Sequence, residues 1–258
     1  MIPTLIFDLE TIPDIEAIRK LNNLGADVTD KDVVQISLYQ RRQKVGHDFL
    51  SQHLQKIVAI SCVLKTNDNL EVWSIGSNES DEADLLKRFF DGIEKYTPNL
   101  VTWNGSGFDL PVLNYRALAN NIQVKNYFDM GENNADFKWN NYLSRYHKRH
   151  LDLMDFFALY NGRNNASLDH ICKLCGFPGK LDMDGGQVWE TYLNGGIDSI
   201  RDYCETDVAN TYLVFLRYLY IKNDINLDFY NDEIESLRKT LEEYKKPHWI
   251  NFIKAWTI

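Results

Sequence analysis

The sequence is short of basic residues, of cysteine and of long apolar runs. Its 258 residues include 28 Lys and Arg against 37 Asp and Glu, so the formal net charge is −9 at pH 7. This balance argues against a protein that holds nucleic acid mainly by a broad basic surface. No apolar run approaches the roughly 20 residues that a bilayer-spanning helix needs, and the N-terminus lacks the pattern of a signal peptide. We therefore expect no membrane partner.

The four cysteines form neither a disulfide framework nor a zinc pattern. Cys172 and Cys175 have the spacing of a metal-binding pair, but no second pair lies nearby. Core packing in a reducing, cytoplasmic setting is the better interpretation. With 44% apolar residues, the chain is long enough for one globular domain with a substantial core.

The most informative positions lie in three short segments that carry acidic and phenolic side chains. The first segment follows an apolar run, residues 5–7, and we predict a buried strand from about residue 3 to 8. Side chains alternate along a strand, so Asp8 and Glu10 point to the same face. Two adjacent buried carboxylates resist ionisation, and a cation that prefers oxygen ligands, Mg²⁺ or Mn²⁺, removes that cost. The alternative is a strand end whose acids simply face water.

The second segment joins a strand at about 99–103 to a helix that we predict to open at Phe108 and to continue to about Ala119, with Asp109 near its start. The intervening turn, 104–107, lacks the third glycine of a dinucleotide-binding fingerprint. A carboxylate at a helix start is favoured by the helix dipole, so Asp109 is either a helix cap or a site residue. Phe108 is either core or an aromatic platform for a base.

The third segment lies in a helix that we predict over about Asp198 to Ile221. Tyr203 and Asp207 are four residues apart and therefore share one face of that helix. A tyrosine hydroxyl one turn from a carboxylate is well placed to hydrogen-bond a metal-bound or attacking water. The alternative is an ordinary surface pair on an amphipathic helix.

The three segments in this order, Asp-x-Glu, Asn-x-x-x-Phe-Asp and Tyr-x-x-x-Asp, resemble the DEDDy 3′–5′ exonucleases. The chain is similar in particular to the predicted stand-alone exonucleases related to the proofreading domain of family B DNA polymerases. The similarity covers most of residues 1–220 and extends to residues 57–61, 167–180 and 184–189.

This resemblance implies a site for two divalent ions, Mg²⁺ or Mn²⁺, which together activate a water and stabilise the departing 3′ oxygen. Asp8, Glu10 and Asp207 would ligate the first ion, and Asp8 would also bridge to the second. Asp109 would hold the second ion largely through water, and Tyr203 would orient the attacking water. The positions that match substrate contacts are Leu9, Thr11, Asn104 and Phe108.

Other residues fall near the site in the resemblance without an assigned chemistry. Lys180 is one of them. Asp152 either supports the metal site electrostatically or caps a helix, and capping is the more common role. Basic residues cluster at 41–44 and at 145–150, and the second cluster either lines a groove for the nucleic-acid backbone or is a solvated loop.

Along the chain, we predict a polar, partly helical insertion at 13–53, then strands at 57–65 and 69–75 and a helix at 81–95. Early antiparallel strands followed by alternating strands and helices favour an α/β, ribonuclease H-like fold with a mixed central sheet flanked by helices. We expect an exonuclease domain over 1–222 and a helical C-terminal extension over 223–258 that packs on the same domain.

The leading hypothesis is a metal-dependent 3′–5′ exonuclease that releases nucleoside 5′-monophosphates from single-stranded nucleic acid with a free 3′ end. DNA is favoured over RNA because of the resemblance to polymerase domains. Two alternatives remain: an endonuclease on the same fold, and a nucleic-acid-binding module that has lost catalysis.

Overall fold

A five-stranded mixed sheet forms the centre of the protein, which a computed structural model describes over residues 2–181 and 183–257. The strands have the order β3-β2-β1-β4-β5. β1 pairs with β2 and β2 with β3 in antiparallel fashion, whereas β4 and β5 continue the sheet in parallel. The strands are β1 (Thr4–Pro13), β2 (Gln55–Lys65), β3 (Leu70–Ser74), β4 (Asn99–Thr102) and β5 (His150–Asp152).

Helices cover both faces of the sheet. Those in the described residues are α1 (Ile15–Asn22), α2 (Asp30–Val45), α3 (Glu82–Tyr96), α4 (Asp109–Ala119), α5 (Leu153–Phe157), α6 (Leu168–Cys175), α7 (Val188–Leu193), α8 (Ile197–Ile221), α9 (Leu227–Tyr244) and α10 (Pro247–Ala255). This arrangement confirms the predicted ribonuclease H-like α/β fold with a mixed central sheet. Within the described residues, no helix combines the length and apolar character that crossing a bilayer requires.

The alternation of side chains along β1 divides the core into two layers. Phe7 and Leu9 point to one face and pack with Phe89 of α3. Ile6 points to the other face and packs with Val208 of α8. Because Asp8 and Glu10 follow the same alternation as Ile6, they lie on the face that α8 covers.

The strand that carries the first acidic segment is longer than we predicted. We expected it to end at about residue 8, but β1 remains paired with β2 as far as Pro13. The pairing shifts register between Glu10 and Thr11, where Val58 is an extra residue in β2, and the pairing continues beyond this bulge. Asp8 and Glu10 therefore both project from β1 itself, whose backbone is paired with β2 at these positions.

The insertion at 13–53 folds as a helical hairpin of α1 and α2. Asp14 and Thr29 cap the two helices by accepting hydrogen bonds from backbone N–H groups. Ile18, Val33 and Leu50 form a small core between the helices and the segment that leads into β2. The predicted helical content of this segment is confirmed.

The last two helices pack against α8 and β3. Trp249 and Phe252 of α10 are fully buried and belong to the same apolar cluster as Val208. On α9, the Tyr244 hydroxyl accepts a hydrogen bond from the backbone N–H of Val72 in β3, at 3.1 Å. These contacts join the last two helices to both α8 and the β3 edge of the sheet.

Candidate active site

The first two carboxylates come from β1, just before its pairing with β2 shifts register. Asp8, Glu10 and the Cys204 thiol of α8 each offer one ligand atom, and these atoms lie within 4.8 Å of one another. Glu10 is buried, with 8% of its surface exposed. Cys204 Sγ donates to the backbone oxygen of Asp8 at 3.4 Å and so ties α8 to the strand.

The third carboxylate reaches β1 because β4 is short. The pairing of β1 with β4 runs from Thr4 to Ile6 only, so the β4-facing edge of β1 is open beyond that point. Asp109 Oδ1 accepts a hydrogen bond from the Leu9 N–H at this open edge, at 3.2 Å. Asp109 is thereby held at Leu9, the residue that lies between Asp8 and Glu10 on the strand.

Asp109 is the first residue of α4, as predicted, but it is not the helix cap. The cap position belongs to Phe108, which makes no side-chain capping bond. The Asp109 side chain, 2% exposed, turns to β1 instead. Of the two interpretations left open by the sequence, the geometry agrees with a site residue.

Asp152 holds the turn that precedes α4. Its carboxylate accepts hydrogen bonds from the N–H groups of Asn104, at 3.0 Å, and Ser106, at 2.8 Å. It also accepts from Met154 and Asp155, and so caps α5 as predicted. Asn104 has a left-handed φ of 69°, and these bonds stabilise that conformation.

The fourth carboxylate and the phenol project from α8 towards β1. Tyr203 and Asp207 are 7% and 6% exposed. Asp207 Oδ1 is buried and has no hydrogen-bond partner among the described residues. A buried acceptor without a partner is rare in folded proteins, and a bound cation would satisfy it.

Lys180, which the sequence placed near the site without an assigned chemistry, lies beside Tyr203 and Asp207. Its Nζ lies 2.5 Å from the Tyr203 hydroxyl oxygen and 4.0 Å from Asp207 Oδ2. The preceding Gly179 has a φ of +68°, and a Cβ there would meet Asp169 Oδ1 at 2.6 Å. Asn210 of α8 bonds both the N–H and the carbonyl of Gly179. The turn is therefore clamped between α6 and α8, and it directs Lys180 into the site.

The electrostatics of the four carboxylates favour a bound cation. Burial raises the pKa of Asp8 and of Glu10 well above the ordinary carboxyl range, and the neighbouring carboxylates raise both further. Burial also raises the pKa of Asp109 to about 7 and that of Asp207 to about 6, although Lys180 opposes the second shift. The oxygen-only character of these four side chains suits Mg²⁺ or Mn²⁺.

These groups line a cleft of about 430 Å³. Thr11, Asn104 and Phe108, which the sequence indicated as substrate contacts, lie along its wall. Leu9 also borders the cleft, but its side chain is 3% exposed and packs in the core, and its N–H is bonded to Asp109.

Phe49 is a cleft residue that the sequence reasoning missed. Its ring is 54% exposed and lies 5.6 Å from the ring of Phe108, centroid to centroid. Gln52 holds this segment in place by donating to the carbonyl of Gly107 at 3.0 Å. No local signal marks Phe49, because its position depends on how the helical hairpin folds back against the turn before α4.

Comparison with known proteins agrees with this geometry. Residues 47–256 match the family described as "Predicted 3′-5′ exonuclease related to the exonuclease domain of PolB". This match covers the second and third acidic segments, Lys180 and both terminal helices.

Curated relatives are DNA polymerases. The chain is 25% identical over 151 residues to the catalytic subunit of DNA polymerase epsilon from Emericella nidulans, covering 55% of this chain and 6% of that protein. It is 25% identical over 161 residues to a DNA polymerase of Archaeoglobus fulgidus, covering 61% of this chain and 19% of the polymerase. The polymerase epsilon catalytic subunit of Schizosaccharomyces pombe is 26% identical over 148 residues, covering 55% of this chain and 6% of that protein. The chain thus spans less than a fifth of each of these relatives.

Proposed function

The chain belongs to the predicted 3′-5′ exonucleases related to the exonuclease domain of PolB, and we propose that it shortens single-stranded nucleic acid from the 3′ end by a two-metal mechanism. The observation that carries this proposal is the convergence of four carboxylates from three segments beside the buried, unpartnered Oδ1 of Asp207. Nucleoside 5′-monophosphates are the proposed products.

The proposed metal ligands are the residues that the cleft brings together. Asp8, Glu10 and Asp207 would hold one Mg²⁺ or Mn²⁺ ion, and Asp8 with Asp109 would hold the second. Bound there, the two ions supply activation of a water and stabilisation of the departing 3′ oxygen. Asp109 also orders β1 through Leu9, which fixes the strand that carries the other two ligands.

Tyr203 acts as a protonated orienting group rather than as a base. Burial raises its pKa well above the ordinary tyrosine value, so the phenol keeps its proton at neutral pH. Lys180 donates to the phenol oxygen at 2.5 Å. Since that acceptor position is occupied, the phenol proton is directed away from Lys180 and towards the Asp207 carboxylate, where we propose that the attacking water is held.

The terminal nucleotides would lie against the aromatic wall of the cleft. Phe49 and Phe108 present adjacent rings, and stacking on aromatic side chains holds bases without strict sequence preference. Asn104 and Thr11 offer hydrogen-bonding groups on the same wall. A cleft of about 430 Å³ suits unpaired terminal nucleotides better than a duplex. DNA is proposed as the preferred substrate because the curated relatives are DNA polymerases.

The proposed exonuclease domain spans 1–222, with residues 223–258 as a helical extension on the same domain. The burial of Trp249 and Phe252 in the apolar cluster of α8 supports this organisation. We also propose a reducing, cytoplasmic setting, which the four free cysteines support.

The test uses 5′-labelled single-stranded DNA and the RNA of the same sequence, with Mg²⁺ or Mn²⁺ and with EDTA. The wild-type protein is expected to give a metal-dependent ladder that shortens from the 3′ end, faster on DNA, and Asp207→Asn is expected to give none. Asp228→Asn, an exposed acid in the first turn of α9, is the matched control and should retain activity. Cleavage of a closed circle would favour an endonuclease, and binding without any shortening would favour a non-catalytic module.

A further inference from the structure

A second concave surface lies at the β5 edge of the sheet, outside the catalytic cleft. We call it the edge groove, and its volume is about 430 Å³. The start of β4, β5 and the last turns of α8 form its floor. Its charged rim consists of Arg145, Lys148 and Lys222. Asp224 pairs with Lys222 at 2.6 Å, and Asp155 lies 3.7 Å from Arg145. Lys148 has no ion-pair partner among the described residues, so the rim keeps a net positive charge in a chain whose net charge is −9.

Exposed aromatic rings accompany these cations. Tyr160 is 53% exposed and Phe156 is 37% exposed, and both line the groove. The Arg145 guanidinium lies 5.2 Å from the centroid of the Tyr160 ring. Phe156 packs edge-on against Tyr218 at 5.0 Å, which fixes the wall of the groove on α8. Aromatic platforms interleaved with cations are the features by which proteins bind single-stranded nucleic acid.

The edge groove and the catalytic cleft lie on either side of α5. Met154 of α5 lines the cleft, and Phe156, two residues later, lines the groove. Along α8, Asp207 borders the cleft and Tyr218 borders the groove. These eleven helical residues span about 17 Å at 1.5 Å per residue. A stacked strand that rises about 3.4 Å per nucleotide covers this distance in about five nucleotides.

We propose that the edge groove binds the single strand upstream of the 3′ end that occupies the catalytic cleft. This inference rests on the proposed exonuclease function and extends it to the substrate beyond the reacting nucleotide. Charge complementarity supports this occupant, because phosphates match the basic rim and unpaired bases match the exposed rings. The groove thus gives an acidic protein a local means of holding a polyanion at a distance from its carboxylates.

The test compares a 4-nucleotide and a 20-nucleotide single-stranded DNA, since only the longer one reaches the groove. The variants are Lys148→Glu, on an exposed side chain, and Tyr160→Asn. Tyr160 has a left-handed φ of 57°, and asparagine tolerates that conformation better than alanine does. The matched control is Lys87→Glu in α3, which makes the same change in net charge on the opposite face of the sheet.

Both groove variants are expected to raise the KM for the 20-mer by about fivefold or more and to leave the KM for the 4-mer and kcat unchanged. Lys148→Glu should also lower the slope of log affinity against log salt by about 1 or more. Lys87→Glu should resemble the wild type. Equal effects on both oligonucleotides, or no effect on either, would overturn the proposal.

Binding separates this inference from the proposed function. The affinity of the 20-mer is measured in an Asp207→Asn background, with and without Lys148→Glu, so that cleavage plays no part. Weaker binding with Lys148→Glu supports the groove even if the wild type proves inactive. Unchanged binding rejects the proposal that the groove binds single-stranded DNA, whereas activity of the wild type still supports the proposed exonuclease function. Unchanged binding is also the result expected if the groove binds a protein instead.

Discussion

Replacing Asp207 by asparagine is expected to stabilise the metal-free protein and to abolish its response to metal. Asp207 is 6% exposed, and burial raises its pKa from the ordinary 3.8 to about 6. At 1.36 kcal/mol per pKa unit, the ionised carboxylate lowers the free energy of unfolding by about 3 kcal/mol at pH 8. Asparagine has the same shape and carries no charge, so it removes most of that penalty.

The assay is thermal unfolding of the wild type and Asp207→Asn, in EDTA and then in excess Mg²⁺. For a chain of this size, 1 kcal/mol corresponds to about 2–4 °C, so the variant should unfold about 6–12 °C higher in EDTA at pH 8. Mg²⁺ should raise the midpoint of the wild type, because it binds the folded state. The variant has lost a ligand, and its midpoint should change little.

The pH dependence of this difference has a fixed sign. The folded-state pKa of Asp207, about 6, lies above the ordinary 3.8, so the folded protein binds more protons than the unfolded chain between these values. The wild type therefore loses stability as the pH rises through this window, and the variant lacks the part of this loss that Asp207 causes. The advantage of the variant should be complete above about pH 7 and should vanish near pH 4.

One result would refute this reasoning. If Asp207→Asn unfolds at a lower temperature than the wild type in EDTA, then the Asp207 carboxylate stabilises the folded protein. Burial of its charge would then not lower the free energy of unfolding. Asp228→Asn serves as the control, because this exposed acid lies in the first turn of α9. Its loss should lower stability only slightly through the helix dipole, equally with and without Mg²⁺.

Three further substitutions test the neighbouring residues. Tyr203→Phe should lower kcat by about 10²-fold and leave the Mg²⁺-dependent rise in unfolding temperature intact; an unchanged kcat in steady-state assays would remove Tyr203 from the mechanism. Phe49→Ala should raise the KM for an oligonucleotide about fivefold or more with little change in denaturant unfolding, because the ring is 54% exposed. Asp152→Ala leaves several backbone N–H groups near Asn104 without their acceptor. It should therefore lower the free energy of unfolding by about 3 kcal/mol and also lower kcat. Activity equal to that of the wild type would show that this turn does not position Asp109.

The parts of the site that the sequence predicts well are those set by local geometry. The helix expected over 198–221 is α8, Ile197–Ile221, and it presents Tyr203 and Asp207 on one face. The helix expected to open at Phe108 and to continue to about Ala119 is α4, Asp109–Ala119, with Phe108 at the N-cap. In both cases the 3.6-residue period of the apolar positions predicts the helix, and this period is read within one segment.

The parts that the sequence does not predict depend on contacts between distant segments. The length of β1 beyond residue 8 follows from its pairing with β2 through a bulge. The position of Lys180 depends on Gly179 being held by Asn210, 31 positions away. Phe49 reaches the cleft only because the helical hairpin packs against the turn before α4. None of these features leaves a periodic or capping signal in its own segment.

The difference in length between β1 and β4 explains how this fold creates a site for charged groups inside a packed sheet. β1 has ten residues and β4 has four, and their pairing ends at Ile6. Beyond that point β1 keeps β2 on one side but has an open edge on the other, which the Asp109 carboxylate occupies at Leu9.

A β4 longer by two residues would pair with Leu9 itself, displace Asp109 and close the cleft. The carboxylates of β1 would then be buried without room for a cation, and a bound metal could no longer offset their burial. The early end of β4 is therefore as much a requirement of the site as the acids themselves.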